Sequence, residues 1–147
     1  MGRVEAINIG PPEELPAPVE RVRAHAGKGL VGNRYYFEHG AEPGRALTLI
    51  AAEALEALAA ERGIDVTGAE SRRNVLTRGI DLNALVGKRF RVGDVDCIGV
   101  ELCEPCKHLE SLTQPGVIKG LTHRGGLNAD ILSDGEIAVG DEVVAAD

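Results

Sequence analysis

Short apolar runs broken by Gly and polar turns dominate this chain, and only one long stretch sustains helical spacing. The runs "RVEAINIG" (3–10), "RNVLTRG" (73–79), "KRFRVGDVDCIGVEL" (88–102), "ADILSDG" (129–135) and "EIAVGDEVVAAD" (136–147) are rich in β-branched residues and read as strands. The exception, "TLIAAEALEALAAERG" (48–63), repeats Leu55, Leu58, Ala59 and Arg62 at helical spacing, and Gly63 supplies a left-handed stop. Two strand runs share a Val-Gly-Asp centre, Val92–Asp94 and Val139–Asp141, which suits a tight turn. Their flanks do not match, so this is recurrent turn chemistry and not a repeat. The segment "PPEELPAPVERVRAHAGKG" (11–29) is rich in Pro and charge and reads as a surface excursion between the first strand and the body. Many short strands with few helices predict a mainly β barrel or sandwich, one domain over residues 1–147.

The composition narrows the function classes. A chain of 147 residues buries an adequate core without staples, and its 44% apolar and 27% charged residues are those of a globular protein. No apolar run approaches the roughly 18 residues that span a bilayer, and the start, "MGRVEAINIG", lacks the basic and apolar regions of a secretory signal. A cytoplasmic protein without a membrane partner is expected. The net charge of -7 and 3% aromatic content argue against nucleic acid, which needs a basic footprint and stacking platforms. Charge is nonetheless uneven: Arg72, Arg73, Arg78, Lys88, Arg89 and Arg91 face only Asp81 within their stretch, which suggests a local anion site.

The three cysteines, Cys97, Cys103 and Cys106, are too few and too odd in number for a disulfide framework. Cys97 lies within a strand and reads as a small buried hydrophobe. In "ELCEPCKHLE" (101–110), Pro105 suits the first helical position and places Cys106 in the first turn of a short helix. Free N–H groups and the positive end of the helix dipole favour negative charge on such a thiol, and Lys107 adds a cation. Three chemistries remain open. A thioredoxin-type pair of Cys103 and Cys106 has the spacing, but the chain beyond Cys106 reads as strands and turns, not the rest of a βαβ fold. A zinc site would combine both thiols with His108 and His123, although only one knuckle exists. A lone soft ligand or sulfur carrier, Cys106 beside a basic segment, is the third.

Four stretches in order, "GKGLVGNRYY", "RALTLIAAEALEAL", "SRRNVLTRGIDLNALVGKRFRVGDVDCIGVELCEPCKHLE" and "LTHRGGLNADILSDGEIAVGDEVV", together resemble the MOSC domain, the C-terminal module of molybdenum cofactor sulfurases. The resemblance runs from about Gly27 to Val144. It implies an antiparallel β-barrel of the pyruvate-kinase barrel type with a few packed helices. It further implies that Cys106, in its Pro-Cys step, is the catalytic thiol, either ligating molybdenum of the molybdopterin cofactor or carrying sulfur from a pyridoxal-phosphate desulfurase. The Arg-Arg-Asn step, Arg72, Arg73 and Asn74, is assigned to the phosphate and pterin, since guanidinium forks bind phosphate bidentately. Lys88 and Arg89 are further candidates. The "HRGG" stretch, with His123, Arg124 and Gly125, offers backbone N–H groups to an anion. One step departs from the family: Asn33 stands where an acid is usual. The function implied is reduction of N-hydroxylated compounds, or transfer of sulfur or cofactor to another metalloenzyme. Without a ferredoxin cysteine set or a dinucleotide fingerprint, a reductase needs an external flavin or iron–sulfur electron donor. Alternatives are a metal-free thiol-disulfide or persulfide protein using Cys103 and Cys106, and a non-catalytic cofactor-binding module.

Overall fold

The structure is a computed structural model that describes residues 2–146. Its elements run β1 (Gly2–Ile9), β2 (Ala17–Val19), β3 (Arg21–His25), β4 (Gly29–Leu30), β5 (Leu47–Ala51) and α1 (Ala52–Arg62). Next come β6 (Val75–Arg78), a 3-10 turn at Asn83–Leu85, β7 (Arg89–Val92), β8 (Val95–Leu102), α2 (Lys107–Leu112) and α3 (Val117–Leu121). The chain closes with β9 (Leu127–Ile131), β10 (Gly135–Ala138) and β11 (Glu142–Ala145).

The barrel order is β11-β7-β8-β9-β5-β6-β1, and β1 pairs with β11 through Gly2↔Val143 and Arg3↔Glu142, so seven strands close on themselves. Closure removes the unpaired edges that an open sheet would expose. Only β5–β6 is parallel within this ring. Strand β2 extends the sheet at the far end of β1, and β10-β3-β4 form a separate three-stranded sheet. Thus the expected mainly β barrel with a few packed helices is the architecture found, in its closed form. Among the described residues no helix is long and apolar enough to cross a membrane.

Two cores result. Phe90, Leu47, Leu49, Leu127, Ile131 and Val143 fill the barrel, all at 1% exposure or less. Outside it, Ile50, Leu55, Leu58, Leu109, Val117 and Leu121 join the helices to the wall. Strand β5 serves both: Leu49 points inward and Ile50 outward. A strand buried on both faces reads as a continuous apolar run, which is why residues 48–51 look in sequence like part of the helix; the helix begins only at Ala52. It ends as expected, with Gly63 left-handed at φ 64° and its N–H on the Ala59 carbonyl. The other correction concerns residues 11–29, which are not one excursion. They hold β2 and β3, and Val22 and Ala24 are core residues because alternation in "RVRAH" places them inward.

Candidate functional site

Strand β8 carries a register shift between Gly99 and Glu101. Gly99 permits it: the Leu85 carbonyl lies where a Cβ would stand. Cys97, before the shift, is fully buried, and burial pushes its thiol up to about 12. Past the shift and the end of β8, the chain leaves the barrel as Cys103–Cys106. Cys106 does not enter the first turn of α2. It caps the helix with extended backbone (φ -129°, ψ 170°), and its Sγ accepts the Leu109 N–H at 3.4 Å. A thiol replaces the usual hydroxyl or carboxylate cap, and buried Leu109 fixes its position.

Three devices hold this thiol loop against residues 122–126. Arg73, only 9% exposed, donates from Nε to the Gly125 carbonyl (2.9 Å), from Nη2 to the Cys103 carbonyl (3.0 Å) and from Nη1 to the Ser71 carbonyl (3.2 Å). Glu104 accepts the His123 backbone N–H at 2.7 Å and meets its Nδ1 at 2.8 Å. Gly125 lets the loops touch, since a Cβ there would lie 2.5 Å from the Cys103 carbonyl oxygen.

The loop borders a cavity of about 780 Å³ whose walls include Cys103, Cys106 and His108 together with Arg34, Arg45, Arg72 and Arg73. Cys106 is exposed and Cys103 half-buried; burial pushes the Cys103 thiol up, opposed by the nearby Arg73. Leu109, Leu112, Pro12 and Pro43 form apolar parts of the wall, and Glu13 and Glu101 are its carboxylates. None of the four cavity arginines forms an ion pair with a carboxylate among the described residues. In contrast, Arg3, Arg21, Arg78, Arg91 and Arg124 do.

The residues singled out from the sequence therefore separate. Cys106, Arg72 and Arg73 share the cavity. Asn74 lies behind it: its Oδ1 accepts from the Thr48 N–H and hydroxyl, both at 3.1 Å, and its Nδ2 donates to the Asn8 carbonyl. That side chain joins β5, β6 and the end of β1. Lys88 and Arg89 are exposed on and just before β7, opposite Ile98 and Gly99 of β8, and line no part of the cavity. His123 faces Glu104, and Arg124 pairs with Glu61 of α1 at 2.7 Å, fastening the loop to the helix layer. Gly125 turns its carbonyl to Arg73. The "HRGG" stretch thus buttresses the thiol loop from outside the cavity. Asn33 is also outside, buried with its Oδ1 accepting the N–H of Gly10 at 3.4 Å, which ties its loop to the end of β1. No three His, Cys, Asp or Glu side chains among the described residues are placed to hold a metal ion, so the four-ligand zinc arrangement is not assembled.

Sequence reading overlooked Arg34, Tyr35 and Arg45. The signal was present in "GNRYY", an Arg beside two aromatics in a Gly-rich loop, but Arg45 joins them only in space. Their geometry is specific: the guanidinium carbons of Arg34 and Arg45 lie 5.3 and 5.5 Å from the Tyr35 ring centroid.

Comparison with known proteins places the fold. The structure is similar to crystal structures of the YuaD protein from Bacillus subtilis (TM-score 0.83, 16% identity, 97% of this chain and 94% of that one) and YiiM from Geobacillus stearothermophilus (TM-score 0.78, 17% identity, 100% and 76%). It is also similar to YiiM from Escherichia coli (TM-score 0.72, 17% identity, 99% and 70%). At these identities the likeness shows the fold alone. No curated protein sequence matches the chain. The family model for the MOSC domain matches residues 13–144. On that match, which takes in the whole thiol loop and the barrel strands from β5 through most of β11, the chain belongs to the MOSC domain family.

Proposed function

We propose that the chain binds a molybdenum–pterin cofactor in this cavity, with Cys106 as the thiol ligand to the metal. The observation that carries the reading is the meeting, in a single cavity, of one exposed thiol and four guanidiniums that form no ion pair among the described residues. The residues fit such a group. A volume of about 780 Å³ lies within the range of small-molecule sites, sulfur is a soft donor suited to a soft metal centre, and the arginines supply the charge that a phosphate requires. When bound, the metal would supply two-electron redox chemistry at a position beside Cys106.

The remaining roles belong to the chain itself. The Leu109 N–H holds Cys106 Sγ in place, and Arg73 keeps the loop that bears it in register. Leu112, Pro12 and Pro43 supply apolar wall to part of the cavity. Reduction of an N-hydroxylated compound breaks the N–O bond, takes two electrons and two protons, and releases the oxygen as water. His108, Glu13 and Glu101 are cavity groups able to pass such protons. The electrons come from a separate flavin or iron–sulfur protein in this reading. A sulfur-carrier role uses the same thiol, loaded by a partner desulfurase that holds the pyridoxal phosphate.

A second reading is favoured by the presence of Cys103 in the same cavity: a thiol-disulfide protein in which Cys103 resolves Cys106. One experiment separates them. Molybdenum and pterin are measured in native protein, Cys106→Ser and Cys103→Ser, each expressed in a cofactor-producing host. Near-stoichiometric metal in native and Cys103→Ser protein, with none in Cys106→Ser, is the expected result. Absence of metal from all three sinks the cofactor reading.

A further inference from the structure

The four cavity arginines are not equivalent. Arg73 has committed its fork to three backbone carbonyls, and its removal would disturb the loop before it disturbed a ligand. The other three remain open. Arg72, held in left-handed backbone at φ 62°, donates only from Nη2 to the Glu14 carbonyl (3.0 Å). Arg34 donates from Nη2 to the Arg72 backbone carbonyl at 3.4 Å, which sets its guanidinium against the Arg72 turn. Arg45 reaches the same place from the start of β5 and rests on the Tyr35 ring that also carries Arg34.

Those rings and backbones preset the forks. Tyr35 packs on Phe37 with centroids 6.4 Å apart. The loop bearing Arg34 is tied by its own N–H to the Gly10 carbonyl (2.8 Å), and the Gly44 N–H beside Arg45 is held by Asp130 Oδ1 (2.7 Å). Guanidiniums stacked on an aromatic face lose less freedom when they bind. The charge balance is also incomplete: four guanidiniums meet two carboxylates, Glu13 and Glu101, which leaves two positive charges in excess. Burial and the neighbouring Arg72 lower the proton affinity of Arg34, the mark of cations crowded without an anion. Arg23, Arg62 and Arg89, which also form no ion pair among the described residues, stand exposed outside the cavity.

We infer that Arg34, Arg45 and Arg72, with Tyr35 as their platform, form a subsite for a phosphate dianion that works independently of the Cys106 thiol. The inference refines the cofactor reading by moving phosphate recognition from the Arg72–Asn74 step to the loop around Tyr35. The same chemistry would take the phosphate of a pterin or of a free phosphate monoester.

The test uses the metal-free protein with inorganic phosphate as the probe, titrated calorimetrically against chloride at matched ionic strength. Binding should be equal in native protein and Cys106→Ser. It should weaken about tenfold in each of Arg34→Gln and Arg45→Gln, the loss of one charge-assisted pair, and recover partly in Arg45→Lys. Circular dichroism confirms that each variant is folded. Glycerol phosphate in place of inorganic phosphate distinguishes the sources: binding as tight as phosphate marks a general monoester site. Much weaker binding marks a site that needs the pterin frame. Phosphate behaving like chloride, or Arg34→Gln and Arg45→Gln binding as native protein does, overturns the inference. The two readings fail separately: phosphate binding without molybdenum loading leaves this subsite standing alone, and normal loading of Arg34→Gln and Arg45→Gln without phosphate binding leaves only the cofactor reading.

Discussion

Arg73 combines charge with scaffold in a way that a mutation can expose. Its replacement by Met leaves the carbonyls of Ser71, Cys103 and Gly125 without donors in a site only 9% exposed. Unpaired buried acceptors make this a loss on the order of 3 kcal/mol, measurable by urea unfolding. Arg45→Gln, at an exposed position, should change stability by less than about 0.5 kcal/mol. The three thiols should also separate by reactivity. Iodoacetamide should modify exposed Cys106 first, half-buried Cys103 later, and Cys97 only on unfolding. A burst that labels Cys97 in folded protein would contradict the packing described. Cys97 also makes stability depend on pH. Its thiol is raised from 9.0 to about 12 by burial, so the folded chain keeps a proton that the unfolded chain has lost. That contribution is complete below about pH 9 and drains as pH rises toward 12. Urea midpoints at pH 8 and pH 10.5 should therefore fall further for native protein than for Cys97→Ala.

The loop Cys103–Cys106 and the segment 122–126 act as one unit, joined by Arg73, by Glu104–His123 and by the close approach at Gly125. Gly125→Ala puts a Cβ 2.5 Å from the Cys103 carbonyl oxygen and 2.9 Å from Pro105 Cδ. Backbone cannot yield as a flexible side chain does, so a loss of about 1–3 kcal/mol is expected. The alkylation rate of Cys106 should change along with it. A variant with native stability and native Cys106 reactivity would show that the two loops are not tightly coupled. This unit is half visible in the sequence: the Pro-Cys step and the glycines at 125 and 126 stand out. What they do for each other does not, since the "HRGG" amides read as free to meet an anion when in fact the segment supports the thiol from behind.

Closure of the barrel depends on short pairings between the chain ends, Gly2↔Val143 and Arg3↔Glu142. Val143 is fully buried in the barrel core. Val143→Ala removes two methyl groups, roughly 2 kcal/mol at about 0.8 kcal/mol for each buried carbon. If closure is cooperative, far-UV circular dichroism and protection of Cys97 should be lost at the same urea concentration. Separate transitions would mean that the closing strand frays on its own.

Local patterns were sufficient for β1 and β6 to β11, the Gly63 stop, the Val-Gly-Asp turn at Gly93 and the burial of Cys97, because alternation, left-handed glycine and small apolar side chains act within a few residues. The boundary at Ala52 was hidden, since a strand buried on both faces has no alternation to show. The cavity was harder still. Asn74 and Arg124 lie near the right residues in sequence, yet Thr48, Asn8 and Glu61 turn them to other tasks, and Lys88 and Arg89 stand exposed outside the cavity. Arg34 and Arg45 arrive at the thiol from a distant loop. Which basic side chains converge on Cys106 is fixed by strand order and register, and those are properties of the closed barrel that no local stretch of sequence carries.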